Sequence, residues 1–197
     1  MPGYTRDDIN KIGNTIIFLA EKMQLLSKTK LLKLLYLLEE FSVKKYHAPF
    51  LDLKFEVWQA GPVAKDIFVD LSGDETVLLK DFIKLNCDRT SGATYISPIR
   101  GFSDDEFSDN EMALLNLVVD NYRTSSATEL VKLTHRKNSP WYQIAKEHNL
   151  LEQFESGMLN SSNYQIDFLE LLEGNKAGME IYREQKEFKE FAKAFKN

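Results

Sequence analysis

The sequence predicts a mainly α protein of the α+β class: a multi-helix domain with a small antiparallel β element and a C-terminal helical extension. Two observations lead to this prediction. Helix-capping residues stand directly before stretches in which apolar residues recur at helical spacing, and two short β-prone stretches flank a turn. The chain has 197 residues, of which 43% are hydrophobic, and these values are typical of a globular domain with a sizeable core.

The first two helices are predicted within the first 46 residues. Thr5 and Asp8 have the spacing of a capping box, and the residues after them place one apolar stripe along a helix. In the next helix, predicted over 29–46, apolar residues between Leu31 and Phe41 surround nearly the whole helix. Because exposing apolar surface costs about 25 cal/mol per Å², we expect this helix to lie at the centre of the core.

A short strand followed by a short helix is predicted next. Residues 55–58 are β-prone, and Gly61-Pro62 after them stops the strand. Apolar residues then recur at helical spacing from Val63 to Leu71. We therefore expect a brief helix with Pro62 in its first turn, where a proline costs no hydrogen bond.

The remaining part of the chain adds a hairpin and further helices. Two β-prone stretches, 82–87 and 93–98, flank turn-forming residues and predict the hairpin. N-cap signals at Ser108, Ser126 and Ser139 each precede a helical pattern. The predicted helices cover residues 109–123, 127–136, 140–148, 162–173 and 176–195.

The charge and the apolar pattern disfavour a nucleic-acid binder and a membrane protein. The chain has 25 Lys and Arg residues against 30 Asp and Glu, and its net charge of −5 provides no global positive field for phosphates. The acidic excess lies in the second half, after residue 100. The longest apolar runs have five residues, far fewer than a membrane span or signal peptide needs. We expect a cytoplasmic protein with no membrane partner.

Cysteine and histidine usage predicts no metal site and leaves one catalytic alternative. Cys87 is the only cysteine, which excludes an intramolecular disulfide and fits the reducing cytosol. The three histidines, His47, His135 and His148, do not have the spacing of metal ligands. A lone cysteine in a strand is typically buried, whereas Cys87 placed beside His135 would serve a hydrolase or transferase as its nucleophile. We expect no catalytic residue, metal or cofactor.

Residues 127–148 leave a second alternative, a DNA-binding transcriptional regulator. The two short helices predicted here have the outline of a helix-turn-helix. The second of them opens with Pro140-Trp141-Tyr142, which are not the residue types that read base edges. The acidic second half of the chain also opposes the approach of DNA, so we expect no nucleic-acid partner.

The last predicted helix is amphipathic and is a candidate for binding a partner. Ile181, Phe188 and Phe195 recur at intervals of seven, with Tyr182 and Phe191 beside them. A stripe of this kind packs on the chain's own core, closes a homodimer, or docks into another protein with its aromatic rings as anchors. The partner-binding candidates are Tyr182, Phe188, Phe191 and Phe195.

Three segments of the chain carry a resemblance to a known domain. They are 30–37 with Lys-Leu-Leu-Lys-Leu-Leu-Tyr-Leu, 55–63 with a Gly-Pro-Val turn, and 127–141, which ends in Ser-Pro-Trp. In this order they resemble the Panacea domain, the antitoxin domain of SocA-like proteins, also described as GepA-like and phage-associated. The resemblance covers about residues 10–148. Its motif residues are Leu34, Leu35, Tyr36, Trp58, Gly61, Pro62, Val63, Ser139, Pro140 and Trp141.

The resemblance implies a non-enzymatic antitoxin of bacterial or phage origin. Such a protein neutralises a protein toxin encoded next to it, by direct stoichiometric binding or by delivering the toxin to a protease. The resemblance also implies a Panacea domain over 1–150 and a helical extension over 151–197, where we expect partner choice to lie. Each motif has a structural role as well. We expect the leucines and Trp141 to fill the core, Ser139 to cap a helix and Gly61 to take a backbone angle that a Cβ opposes.

Overall fold

Helices make up most of the fold, which confirms the predicted class. The computed structural model describes residues 3–196, and the side chains of residues 3–194. The helices of this part are α1 (Arg6–Lys22), α2 (Lys28–Tyr46), α3 (Lys65–Asp70), α4 (Asp109–Tyr122), α5 (Ala127–Thr134), α6 (Pro140–Glu147), α7 (Leu150–Glu155), the 3-10 helix η1 (Phe168–Leu172) and α8 (Lys176–Lys196). Its strands are β1 (Phe55–Trp58), β2 (Gly61–Ala64), β3 (Ile83–Cys87) and β4 (Thr94–Pro98).

Helix α2 lies at the centre of the core, as predicted. Every residue from Leu31 to Leu38 is buried, including one lysine, Lys33. The helix packs against the β1–β2 hairpin, α4, α5 and η1, which cover it on several sides. Its position follows from its sequence, because no face of the helix between these residues is polar enough to remain in water.

The helix starts are fixed by capping side chains that the sequence identifies. At Thr5, Ser108 and Ser126 both hydrogen bonds of a capping box are present, and Ser139 caps α6 with Pro140 in its first turn. Each cap satisfies backbone N–H groups that have no partner inside the helix. The helices predicted over 109–123, 127–136 and 140–148 are therefore confirmed as α4, α5 and α6.

The β3–β4 hairpin is also confirmed. Its strands pair antiparallel from Ile83 with Pro98 to Cys87 with Thr94, and the hairpin packs against α1. Cys87 stands at the exposed end of β3, so the expectation that it is buried is wrong. It lies beside the turn that closes the hairpin, and this turn is exposed to solvent.

The prediction of a helix starting at Pro62 is wrong. Residues Gly61–Ala64 form strand β2, which pairs antiparallel with β1, and the helix begins only at Lys65. Two residues, Gln59 and Ala60, make the turn between the strands. Pro62 is tolerated because β2 lies at the edge of this small sheet, where a missing N–H leaves no neighbouring strand without a donor.

The prediction of a helix over 162–173 is also wrong for its first half. The segment 160–166 runs along the other edge of β1, where Val57 N–H donates to the Tyr164 carbonyl at 2.9 Å and Ile166 N–H donates to the Phe55 carbonyl at 2.8 Å. The segment is held extended because the edge of β1 needs hydrogen-bond partners. Only Phe168–Leu172 is helical, as a 3-10 helix, and α7 is a helix that was not predicted.

Residues after 150 pack into the same core as the residues before them. Phe168 contacts Tyr36 and Phe55, with ring centroids 5.6 and 5.8 Å apart. Other buried residues of the tail are Phe154, Ile166, Leu172 and Tyr182. The division into a domain over 1–150 and an extension over 151–197 stays a prediction, but the core is continuous across residue 150.

A buried carboxylate ties α2 to the loop that follows it. The Glu39 side chain accepts hydrogen bonds from the backbone N–H groups of Phe50, Leu51 and Asp52, at 3.0, 2.9 and 3.2 Å. Burial raises the pKa of Glu39 to about 7, although these donors oppose the shift. The loop includes a residue with a left-handed backbone angle, Asp52, whose φ is 58°.

Replacement of Glu39 by alanine is expected to lower the free energy of unfolding by about 3 kcal/mol. The substitution leaves three backbone donors without their acceptor in a buried loop, and each such group costs about 1–3 kcal/mol. Urea denaturation measures the loss. Glu21→Ala is the matched control, since the exposed Glu21 accepts a single backbone hydrogen bond, from Phe102. Equal losses in the two variants would contradict this role of Glu39.

Candidate protein-binding site

The motif segments of the chain meet in a buried polar cluster. We call it the motif cluster and define it as Lys33, Gly61, Thr134, His135 and Trp141. Lys33 is only 1% exposed, and its Nζ donates a hydrogen bond to the carbonyl of Pro62 at 2.7 Å. This hydrogen bond joins α2 to β2, so the buried amino group of Lys33 links the central helix to the edge strand.

Gly61 is the close-packed point of the motif cluster. Its φ of +97° is one that residues with a Cβ rarely adopt. A Cβ at this position would lie 2.8 Å from Thr134 Oγ1, 3.1 Å from Lys33 Cε and 3.2 Å from His135 Nε2. Both observations support the expectation that only glycine fits here.

Trp141 closes the motif cluster against the β1–β2 hairpin. Its Nε1–H donates to the carbonyl of Trp58 at 2.9 Å, and its ring stacks on His135 with the centroids 3.8 Å apart. Ser139 Oγ accepts the N–H of Tyr142 at 3.1 Å, which fixes the start of α6. The other motif residues have structural positions too. Leu34, Leu35 and Tyr36 are fully buried in α2, Pro140 is buried in α6, and Val63 is buried in β2.

Burial changes the titration of both basic groups in the motif cluster. It lowers the pKa of Lys33 to about 7, because desolvation disfavours the ammonium. It lowers the pKa of His135 to about 4, and the nearby charge of Lys33 adds to this effect. The Nε2 of His135 is enclosed and has no hydrogen-bond partner among the described residues. His135 is therefore a neutral packing residue at pH 7, held between Trp141 and Gly61.

The structure places Cys87 and His135, the two residues of the catalytic alternative, on different elements. His135 stacks inside the motif cluster, whereas Cys87 lies on the exposed end of the β3–β4 hairpin. No group of three side chains among residues 3–196 is arranged to hold a metal ion. None of the helices described is long and apolar enough to cross a membrane.

Helix α8 is attached to the rest of the protein by lysines. Lys189 Nζ donates to the carbonyl of Pro49 at 2.9 Å. Lys186 and Lys193 lie 3.7 and 3.5 Å from the Asp52 carboxylate, and Lys193 is also 3.7 Å from Asp8. Because these lysines follow one another at intervals of three and four residues, they form one face of the helix. We call it the docked face.

A second side of α8 is aromatic and exposed, and Phe188 on this side also borders the groove between α8 and Phe50. Phe188 is 69% exposed and Phe191 is 64% exposed, and Ile181 precedes them on the same side. We call Ile181, Phe188 and Phe191 the aromatic face. Exposed phenylalanines so close together are unusual on a protein surface, and such patches mark interaction sites.

One of the predicted partner-binding residues differs from this pattern, and another is not described. Tyr182 is 4% exposed and belongs to the hydrophobic core, so its place among surface anchors is corrected. One residue after Ile181, a side chain on a helix is turned by about 100° and here it faces the protein. The side chain of Phe195 lies outside the described residues.

The middle part of the chain shows the family to which the chain belongs. A family model described as "Antitoxin SocA-like, Panacea domain" matches residues 31–142, which is more than half of the chain. The chain belongs to this family. No curated protein and no solved structure matches it. The resemblance stated above is thereby confirmed, and it supports a general antitoxin role.

The matched region of this SocA-like Panacea domain contains the whole motif cluster and leaves out α8. The family motifs thus describe the centre of the fold, whereas the aromatic face lies in the part of the chain beyond them. Sequence reasoning did not select Lys33 or Thr134 as site residues. The one signal for Lys33 is a lysine inside an otherwise apolar stretch of helix, and the partner of that lysine is visible only in the folded chain.

Replacement of Gly61 by alanine is expected to destabilise the protein by about 3 kcal/mol. The new Cβ meets both an unfavourable φ and a close oxygen, Thr134 Oγ1. Gly92→Ala is the matched control, because Gly92 also has a positive φ, of +70°, but nothing lies within 4 Å of its Cβ position. That control is expected to cost about 1 kcal/mol. Similar urea denaturation midpoints for the two variants would contradict the packing role of Gly61.

The stability of the protein is expected to rise with pH above 7 because of Lys33. The unfolded chain keeps the lysine proton up to its ordinary pKa of 10.5, whereas the folded protein releases it near 7. The unfolded state therefore binds more protons between these values, and folding becomes more favourable as the pH rises. From pH 7 to 9 the wild type is expected to gain about 2 kcal/mol over the Lys33→Met variant.

Urea denaturation of both proteins at pH 7 and pH 9 measures this difference. Replacing the exposed Lys146 by methionine serves as the control and is expected to leave the pH dependence unchanged. Parallel pH profiles for the wild type and Lys33→Met would show that Lys33 is not the group responsible.

Proposed function

We propose that this protein is the antitoxin of a toxin–antitoxin pair and that it neutralises the adjacently encoded protein toxin by binding it. The aromatic face of α8 is the main contact in this proposal. Two findings support it: the chain belongs to an antitoxin family, and α8 exposes two phenylalanines. The exposure of the aromatic face is the reason for choosing it as the binding site.

The physical chemistry of protein interfaces favours this face as the site. Aromatic side chains bury a large apolar area and lose little conformational freedom on binding, and they often dominate the binding energy. Phe188 and Phe191 are three residues apart and lie on one side of the helix. An interface of about 1,600 Å² centred on two such anchors is sufficient for tight neutralisation. Delivery of the bound toxin to a protease would use the same contact as its first step.

A transcriptional regulator is the less favoured function. Within α6, Pro140 and Trp141 are buried, and the side-chain amide of Gln143 donates to the carbonyl of Lys137 at 2.9 Å. The start of this helix, where a recognition helix contacts bases, is therefore occupied by core and loop contacts.

Replacement of Phe188, Phe191 and Phe195 together by serine is expected to weaken toxin binding at least 100-fold and to abolish neutralisation. The variant removes the apolar anchors, and it leaves the core residues of the family domain unchanged. Growth of cells that express the toxin, and calorimetry with the purified proteins, measure the two effects. Urea denaturation checks that the variant is folded.

The control for this experiment removes three exposed apolar side chains elsewhere on the protein. Leu25, Val77 and Met158 are as exposed as the two phenylalanines, and the triple serine variant at these positions is expected to neutralise normally. Rescue of growth by the phenylalanine variant, at unchanged abundance, would show that α8 is not the contact. Absence of any binding between the wild type and the product of the adjacent gene would overturn the proposed function itself.

A further inference from the structure

Three glutamates of α8 lie next to its aromatic face, away from the lysines of the docked face. Lysines 186, 189 and 193 occupy the docked face, where they contact the protein through Asp52, Asp8 and the Pro49 carbonyl. The charged residues next to the aromatic face are instead glutamates. They are Glu180, Glu184 and Glu187, and all three are exposed.

Helix geometry places these glutamates along the aromatic face. Glu184 lies between Ile181 and Phe188 at a spacing of three and four residues, and so belongs to the same line on the helix. Glu180 and Glu187 lie one step to one side of that line. We call the three glutamates the acidic rim. Lys176 and Arg183 lie further round the helix and border the same surface cavity as the acidic rim.

The acidic rim has no ionic partner within the part of the chain that the structure describes. No salt bridge among the described side chains involves any of its three carboxylates. Three exposed carboxylates beside two exposed phenylalanines make a surface that is apolar in the middle and negative along one edge. A partner covers this surface at the lowest cost when it places positive charge opposite that edge, because carboxylates left against apolar or acidic groups are destabilising.

A second copy of the chain is a poor occupant of this surface. Two copies packed on their aromatic faces would bring together two acidic rims, and repulsion between like charges opposes that contact. The net charge of −5 adds to the repulsion at longer range. The occupant that fits is therefore a different protein with basic residues.

We infer that the partner bound by α8 presents an apolar groove for Phe188 and Phe191 that is bordered by lysine or arginine residues, and that the acidic rim steers its association. This inference rests on the proposed function, since the partner is the toxin. To the proposed function the inference adds the chemical character of the toxin surface that the antitoxin covers. Opposite charges around an apolar contact increase the association rate and select among partners.

The test is a charge reversal on the acidic rim. The Glu180→Lys/Glu184→Lys/Glu187→Lys variant is compared with Glu147→Lys/Glu152→Lys/Glu155→Lys, which changes three exposed glutamates of α6 and α7 and alters the net charge equally. Association and dissociation rates with the purified product of the adjacent gene are measured by surface plasmon resonance at 50 and 500 mM NaCl. Sedimentation velocity of the wild type measures self-association.

The rim variant is expected to associate at least 10-fold more slowly than the wild type at 50 mM NaCl, and within 3-fold of it at 500 mM NaCl, because salt screens the attraction. The control variant is expected to remain within 3-fold at both concentrations. Equal rates for rim variant and wild type would overturn the inference. A dimer of the wild type that the phenylalanine variant dissociates would overturn it as well, since the occupant would then be a second copy.

The two variants distinguish a failure of this inference from a failure of the proposed binding site. If the phenylalanine variant loses binding and the rim variant does not, α8 is still the contact, but its partner is not basic. If neither variant changes binding, the contact is not on α8. In both cases the inference about a basic partner is overturned, and only in the second is the proposed site lost.

Discussion

A central helix that is buried along its length needs partners inside the protein for the charged side chains that it carries. Lys33, Glu39 and Glu40 are three such side chains in α2. Lys33 binds the Pro62 carbonyl, Glu39 binds the backbone of the 50–52 loop, and Glu40 pairs with Lys44 and Arg136. Three separate parts of the chain are thereby attached to one helix. Removing the partner of one of these buried groups would cost more free energy than removing a surface contact, because water cannot take the partner's place.

The same constraint explains why the family domain needs residues beyond its matched region. Strand β1 has β2 on one edge, and segment 160–166 satisfies backbone groups on the other. Phe168 then covers Tyr36 and Phe55. The residues that follow position 142 thus complete the core around α2, and the family motifs alone do not enclose it.

Helix α8 combines an attachment and an exposed surface in one element. Its lysines contact acidic groups and a carbonyl, which are contacts that remain partly hydrated and are individually weak. Tyr182 adds the apolar contact that anchors the start of the helix in the core. The lysines therefore hold the helix along one face, and Phe188 and Phe191 remain largely exposed on another.

Local patterns in the sequence determined the starts of α1, α4, α5 and α6, the buried character of α2, the β3–β4 hairpin and the family, because caps, periodicity and turn residues act over a few neighbouring positions. The tertiary structure alone decided the strand at Pro62 and the extended segment at 160–166, since pairing with β1 overrides local helical spacing. It also decided which side of α8 is docked. The periodicity groups Tyr182 with the phenylalanines, but contacts with Asp52 and the core, distant in sequence, turn Tyr182 inward and leave Phe188 and Phe191 in water.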